Sequence, residues 1–465
     1  MKRFQLAIFG LVLALIGCRE NVAPITKVQD LVLVGANLID GTGAAPIVDS
    51  VIVIRDGQII ASGSRETTPI PSDAQVIDFS GKSIIPGLVN MHVHYRGGSD
   101  DIKNQFNAQL YYGVTTARSI GSDSPEAVEF LLEANAGRSD FPRAYTAGLG
   151  FSHPGGFNAA GRNAPETENE ARMLVRKQIA LGVQFIKMWV NAIALPGFKI
   201  RPEIRAAIID EAIRNGAVPV AHIDGEADAI QLIQAGLRDF LHTTVLTFGP
   251  GGGAPVDNPE PSPEFLRMAL ENDVVFTPTL SIRQLGWYFA AHPELLDDPS
   301  LRAVFNPASL TRWDSPEGRA EVVDADNFED RKAAFRQLQD FLKRIHDAGI
   351  QVAIGTDAGT PNVPFGWGMH REMAIYVEAG LTPMQTIVAA TSSGAAQMPP
   401  LGEADFGTLV PGKVADLVVL DADPLADIRN TLKINRVMRL GEWVDRPQLL
   451  RAESILSLLA NIPLV

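Results

Sequence analysis

Pro86-Gly87-Leu88-Val89-Asn90-Met91-His92-Val93-His94 reads as an apolar β run whose end carries two imidazoles. Side chains along a strand repeat with period two, so His92 and His94 share one side and can bind one ion. The stretch opens an alternation of apolar β runs and helical segments that continues to Met398. Eight runs are counted: Ile84–His94, Gly113–Ser119, Arg143–Leu149, Val183–Trp189, Val218–Ile223, Asp239–Thr244, Val274–Leu280 and Gln351–Thr356. Such alternation predicts βα units on a parallel sheet, and eight is the closing number of a (β/α)8 TIM barrel. Helices are predicted over Pro202–Asn215 and Ala227–Ala235, with Gly216 and Gly236 as stops. A doubly wound open sheet fits the alternation too, but no G-x-G-x-x-G follows the first run.

Polar residues gather at one place in this scheme. His92 and His94 close the first run, Lys187 lies in the fourth, His222 in the fifth, His242 in the sixth, and Asp357 follows the eighth. In a (β/α)8 barrel the strand C-termini converge on the active-site face, so residues far apart in sequence meet there. Imidazole and carboxylate ligands suit zinc, with nickel, iron and manganese left open. A single histidine is more often a satisfied core residue than a ligand. Six suitable groups at successive strand ends are far harder to obtain by accident. His292, His346 and His370 fall in loops or helices away from those ends, and His153 follows the third run.

Outside the barrel the texture changes. Leu31–Val34, Ser50–Ile54 and Gln58–Ala61 are short β runs with an Asp56-Gly57 hairpin signal, and Val414–Leu420 and Ile434–Leu440 repeat the pattern near the C-terminus. The simplest organisation is an α/β chain with a small composite β-sandwich from residues 28–82 and 405–447 beside a barrel over 83–404. Residues 448–465, rich in leucine, are predicted to form a C-terminal helix. Met1-Lys2-Arg3 and the apolar run Phe4–Ile16 read as an export signal over residues 1–18, too short to span a bilayer. Its end, Leu15-Ile16-Gly17-Cys18, resembles a bacterial lipobox, so Cys18 is the expected lipidation site and residues 19–27 a tether. That places the protein in the cell envelope, lipid-anchored and facing the periplasm or exterior. A lone cysteine excludes an internal disulfide framework, and a net charge of −14 argues against a nucleic-acid partner.

The residues around His92, His94, Lys187, His222, His242 and Gly355-Thr356-Asp357-Ala358-Gly359 resemble the amidohydrolase superfamily, and within it the imidazolonepropionase-like and Xaa-Pro-dipeptidase-like branch. Gly113–Arg118 and Gly407–Leu417 are similar to further segments of the family, so the likeness runs over residues 28–447. Asn90 departs from it, since many members carry aspartate two residues before the first histidine. The resemblance implies two divalent metal ions, one held by His92, His94 and Asp357 and the other by His222 and His242. It further implies that Lys187 is carboxylated by CO2 to an N6-carboxylysine that bridges them. A bridging hydroxide, its parent water brought toward a pKa of about 7, would attack an amide carbonyl while Asp357 shuttles the proton to the leaving amine.

The expected substrate is a small amide, an N-acyl amino acid or a dipeptide. Tyr95, Arg118, His153, Trp189, Asn191 and Asp224 are the expected substrate contacts, with Arg118 or His153 as carboxylate anchor. Insertions at Gly249–Gly253 and Trp287–Trp313 either form a lid or pack on the barrel. Cyclic amides, lactones and phosphotriesters remain alternative substrates. Deamination of a heterocycle is another reading, against which Lys187 argues, and ligand binding without turnover is a third. Relatives commonly form homo-oligomers.

Overall fold

The computed structural model describes residues 29–156, 161–190, 198–223, 225–242 and 260–450. Eight parallel strands surround the chemistry: β1 Leu88–Val93, β2 Val114–Ser119, β3 Arg143–Thr146, β4 Phe185–Val190, β5 Val218–Ile223, β6 Asp239–Leu241, β7 Val275–Thr277 and β8 Gln351–Val352. They form a three-stranded sheet, β1 to β3, and a five-stranded sheet, β4 to β8. The arrangement is TIM-barrel-like, and the expected continuous ladder is interrupted at two seams. Between β3 and β4, Gln184 N donates to Thr146 O at 3.1 Å, then glycines in the left-handed region at Gly148 (φ 59°) and Gly150 (φ 73°) turn the chain away until Phe151 bonds Lys187 and Trp189. Between β8 and β1, Met91 N donates to Ile354 O at 2.9 Å and Asp357 N to His92 O at 2.8 Å. Several expected strands are therefore shorter than their apolar runs; the eighth ends at Val352 rather than Thr356.

The first run divides in two. Ser83–Pro86 joins an outer sheet and Leu88–Val93 enters the barrel, with Gly87 as pivot. A Cβ at Gly87 would sit 2.1 Å from Thr115 Oγ1 and 2.9 Å from its Cβ, so glycine leaves the room that the threonine side chain fills. The outer sheet runs Glu442–Trp443, Ile434–Arg439, Leu417–Leu420, Ser83–Pro86, Asn37–Leu38 and so mixes both ends of the chain. A second, four-stranded sheet uses N-terminal strands alone. Leu33, Ile52 and Ile59 of the second sheet share one apolar cluster with Ile84, Leu417 and Met438 of the first.

Helices over Pro202–Arg214 and Glu226–Gln234 match expectation within a residue. The Trp287–Trp313 insertion is a packed layer. Leu285, Phe289, Phe305 and Trp313 bury into one cluster with Phe106 and Trp367, and Trp313 Nε1 donates to Asn362 Oδ1 at 2.9 Å. Two of its helices start at Pro299 and Pro307 behind the caps Asp298 and Asn306, and the next starts at Pro316 behind Ser315, since proline's missing N–H is no loss in a first turn. No helix among the described residues is long and apolar enough to cross a membrane. Cys18, the Gly249–Gly253 insertion and all but the first turn of the predicted C-terminal helix lie outside the described residues.

Candidate metal centre

Five of the six expected ligands come together through close contacts at the C-terminal ends of the strands, and the sixth lies among them. His92 Nε2 lies 3.3 Å from His94 Nε2, and Asp357 Oδ1 lies 3.5 Å and 3.1 Å from those two atoms. The His242 ring stands 4.8 Å from that of His92 and 4.3 Å from that of His222. Ligand atoms of His92, His242 and Asp357 all fall within 4.8 Å of one another. Asp357 Oδ1, despite these neighbours, makes no hydrogen bond, and neither does the buried Lys187 Nζ. Orphaned polar atoms at the centre of a buried donor cluster fit a cation, which would satisfy them at once.

Tautomers can be read from the outer contacts. His94 Nδ1 lies 2.9 Å from Gly121 O, which only accepts, so Nδ1 carries the proton and Nε2 presents its lone pair to the cluster. Thr279 Oγ1 donates to Pro278 O at 2.7 Å and so accepts from His242 Nδ1 at 2.5 Å, which aims His242 Nε2 inward by the same logic. His242 (φ 69°), Thr279 (φ 53°) and Asp357 (φ 60°) adopt left-handed backbone, a strain of about 1 to 3 kcal/mol each that clusters at this centre. Asn90 ties β1 to the aspartate: its Nδ2 donates to Thr356 Oγ1 at 2.9 Å, and its Oδ1 accepts from Thr356 N at 3.2 Å.

Burial holds the imidazoles of His92, His222 and His242 well below their ordinary value, so they are neutral and offer lone pairs that a cation could use. Lys187 is likewise pushed far down, by burial first and by the charges of Arg118 and Arg162 as well. A neutral amine is both a competent metal neighbour and a nucleophile toward CO2.

The expected substrate contacts divide. Trp189 lies beside the centre, with Lys187 Nζ 5.0 Å from its ring. Tyr95 does not face the centre: it packs into the apolar cluster behind β1, with its ring stacked 5.7 Å from Phe365. The period that unites His92 and His94 sends Tyr95 to the other side. Arg118 is fully buried and paired with Asp239, and its Nε donates to Met91 O at 2.8 Å. It is an internal ion pair and not a carboxylate anchor. His153 packs edge-on against Phe198 at 5.4 Å. Asn191 and Asp224 lie outside the described residues.

Sequence reasoning missed Thr279, Arg162 and Glu372. Glu372 accepts from the backbone of Leu280 at 2.7 Å and of Ser281 at 2.6 Å, which fixes the segment carrying Thr279. Its signal was available: one acid within the buried run Met369 to Tyr376. Thr279 and Arg162 carried no local signal.

Known proteins resemble the chain along most of its length. Imidazolonepropionase of Streptomyces griseus subsp. griseus is 26% identical over 422 residues, covering 86% of this chain and 92% of that protein. Ochratoxinase of Aspergillus niger is 23% identical over 444 residues, covering 84% and 81%. Among solved structures, a putative prolidase from Bifidobacterium longum superposes with a TM-score of 0.70 at 26% identity, over 93% of this chain and 98% of that one. A Xaa-Pro dipeptidase with methionine bound in its active site gives 0.69 at 21% identity, over 90% and 100%. The Amidohydrolase family model matches residues 83–444, from the outer strand Ser83–Pro86 to the outer sheet's last strand. The chain is thus an enzyme that belongs to the amidohydrolase family.

Proposed function

We propose that this protein is a metal-dependent hydrolase of the C–N amide bond in an N-acyl amino acid, a dipeptide or a similar small molecule. The observation that carries the reading is the buried cluster of His92, His94, His242 and Asp357, with donor atoms converging and Asp357 Oδ1 left unsatisfied. His92, His94 and Asp357 would hold one divalent ion, and His222 and His242 a second, both zinc. A Lys187 Nζ-carboxylate would link them. Such ions, when bound, lower the pKa of water and polarise a carbonyl. Asp357 accepts the proton released by the attacking water and returns it to the departing nitrogen, because an amine anion is too poor a leaving group. Asn90 holds that carboxylate in register through Thr356. Burial keeps the imidazoles of His92, His222 and His242 neutral.

The likenesses to ochratoxinase and to prolidases support an amide, and imidazolonepropionase supports a cyclic amide as the second reading. The reading takes the eight strands as one closed barrel and the outer sheets as a β-sandwich, which the backbone bonds across both seams support. Export through residues 1–18 with lipidation of Cys18 completes the proposal. It rests on the positive start and the apolar run. A Cys18→Ser variant should leave the membrane fraction for the soluble one, and unchanged fractionation would remove the anchor from the account.

The deciding experiment joins metal analysis to a hydrolysis screen of N-acyl amino acids, dipeptides and cyclic amides. About two ions per chain are expected, with activity lost to a chelator and restored by zinc. A metal-free protein that cleaves, or a loaded one that cleaves none of these classes, would overturn the reading.

A further inference from the structure

Arg162, in the loop after β3, forms no salt bridge among the described residues. One guanidinium nitrogen donates to Ser122 Oγ at 2.5 Å and Leu149 O at 3.1 Å, while its Nε is buried and makes no hydrogen bond. No carboxylate among the described residues pairs with it. Arg118, by contrast, is neutralised by Asp239. Burial first, and then the charge of Arg96, push Arg162 down to about 10. The charge of Asp123 acts on both arginines, but Ser119 Oγ donates to it at 2.7 Å and Thr146 Oγ1 at 2.6 Å, and it is itself fully buried. A half-buried guanidinium whose one attracting acid is already engaged by two hydroxyls leaves room for an anion from outside the chain.

The position of this cation is fixed against the chemistry. Its guanidinium carbon lies 3.8 Å from the centre of the Trp189 ring, and Lys187 Nζ lies 5.0 Å from the same ring. Trp189 is pinned across the ends of β2 and β3, because Gly121 and Gly150 leave it space: a Cβ there would fall 2.5 Å and 2.4 Å from ring carbons. Both glycines also have positive φ. One tryptophan therefore spaces Arg162 from the metal centre. In a peptide the next carboxyl carbon lies about 3.3 to 3.6 Å along an extended chain from the scissile carbonyl, a reach that suits an anchor one ring away.

We propose that Arg162 is the anchor for a substrate carboxylate, so the preferred substrates are amides with a free carboxylate one residue beyond the scissile bond. The proposal rests on the hydrolase reading and narrows it to acids over neutral amides. Guanidinium matches a carboxylate fork, and Trp189 holds its plane still.

The probes are ketomethylene analogues of N-acetyl-L-alanine, N-acetyl-L-leucine and N-acetyl-L-phenylalanine, in which CH2 replaces the scissile N–H, each beside its methyl ester. Calorimetric titration of the metal-loaded enzyme should find at least one acid bound about tenfold or more tighter than its ester. Arg162→Gln should bring that ratio to a third of its value or less, and Arg162→Lys, which keeps the charge but loses the fork, should fall between. If the Gln variant does not fold, the wild-type ratio and the Lys variant decide. Ratios below ten for all three pairs overturn the proposal, as does a ratio that the substitution leaves above a third of the wild-type value. Absence of amide cleavage would sink the hydrolase reading alone, since the acid-to-ester ratio is read without turnover.

Discussion

Asp357 puts ligand and proton carrier on one carboxylate, and the two roles separate on substitution. Asp357→Asn keeps a donor oxygen but cannot accept a proton, so turnover should fall about 10²- to 10⁴-fold while part of the metal stays. Metal content measured beside rate checks this, and an active, loaded Asn variant would refute the proton role. Lys187→Ala should empty at least one metal position, and a short added carboxylate should restore part of the activity by standing in for the carbamate; full metal content in the Ala variant would end the bridging role. Single residues were legible where a strand's own period sufficed. That rule united His92 with His94 and, applied one step further, would have removed Tyr95 from the substrate contacts. Arg118 was not legible, because its partner Asp239 lies 121 residues away on another strand.

An element can position chemistry that it does not perform. The helix Trp367–Glu378 presents Glu372 to the amides of Leu280 and Ser281, just beyond Thr279, which orients His242. Burial raises the Glu372 carboxyl from 4.5 to about 7 against the pull of these two amides. The folded chain thus binds this proton more tightly than the unfolded one between those values. By linkage its contribution to stability falls as pH rises from about 4.5 to 7 and is level above, a swing on the order of 3 kcal/mol. Glu372→Gln should remove that slope, and it should lower kcat more than it raises KM, because one amide loses its acceptor and Thr279 drifts. Denaturation midpoints from pH 5 to 8, set beside steady-state rates, test both; parallel wild-type and Gln curves would discard the clamp. At this scale the apolar runs located every barrel strand, yet they overstated the lengths, since strands such as β8 leave the ladder before their hydrophobicity ends. The insertion's packing was written in its prolines and caps, which period counting does not read.

The whole molecule depends on the chain's two ends closing one sheet against the barrel, an arrangement legible in the sequence only as a repeated texture. What joins the parts is a polar knot at Asp416. Its carboxylate accepts from Arg143 of β3 at 3.0 Å, from Arg439 of the outer sheet at 3.2 Å and from Leu440 N at 2.7 Å, with both Asp416 and Arg439 only 2% exposed. Its backbone oxygen takes the N–H of Gly87, the pivot where the chain enters β1. Removing the carboxylate would leave two guanidinium groups in the interior without their shared anion, which costs more than the network itself contributes. Asp416→Ala should therefore destabilise the fold by about 3 to 5 kcal/mol, read as a lower urea midpoint. Adding Arg439→Met should recover part of the loss, because an apolar group then fills the site of an unpaired charge. The backbone bond to Gly87 survives the substitution, so the folded fraction should keep its metal and kcat near wild type. A loss of metal at unchanged stability would instead make Asp416 part of the chemical centre, and a cost under about 1 kcal/mol would mean that Ile85, Val418 and Val437, buried in one apolar cluster with Leu88 and Val114, hold the sheet to the barrel.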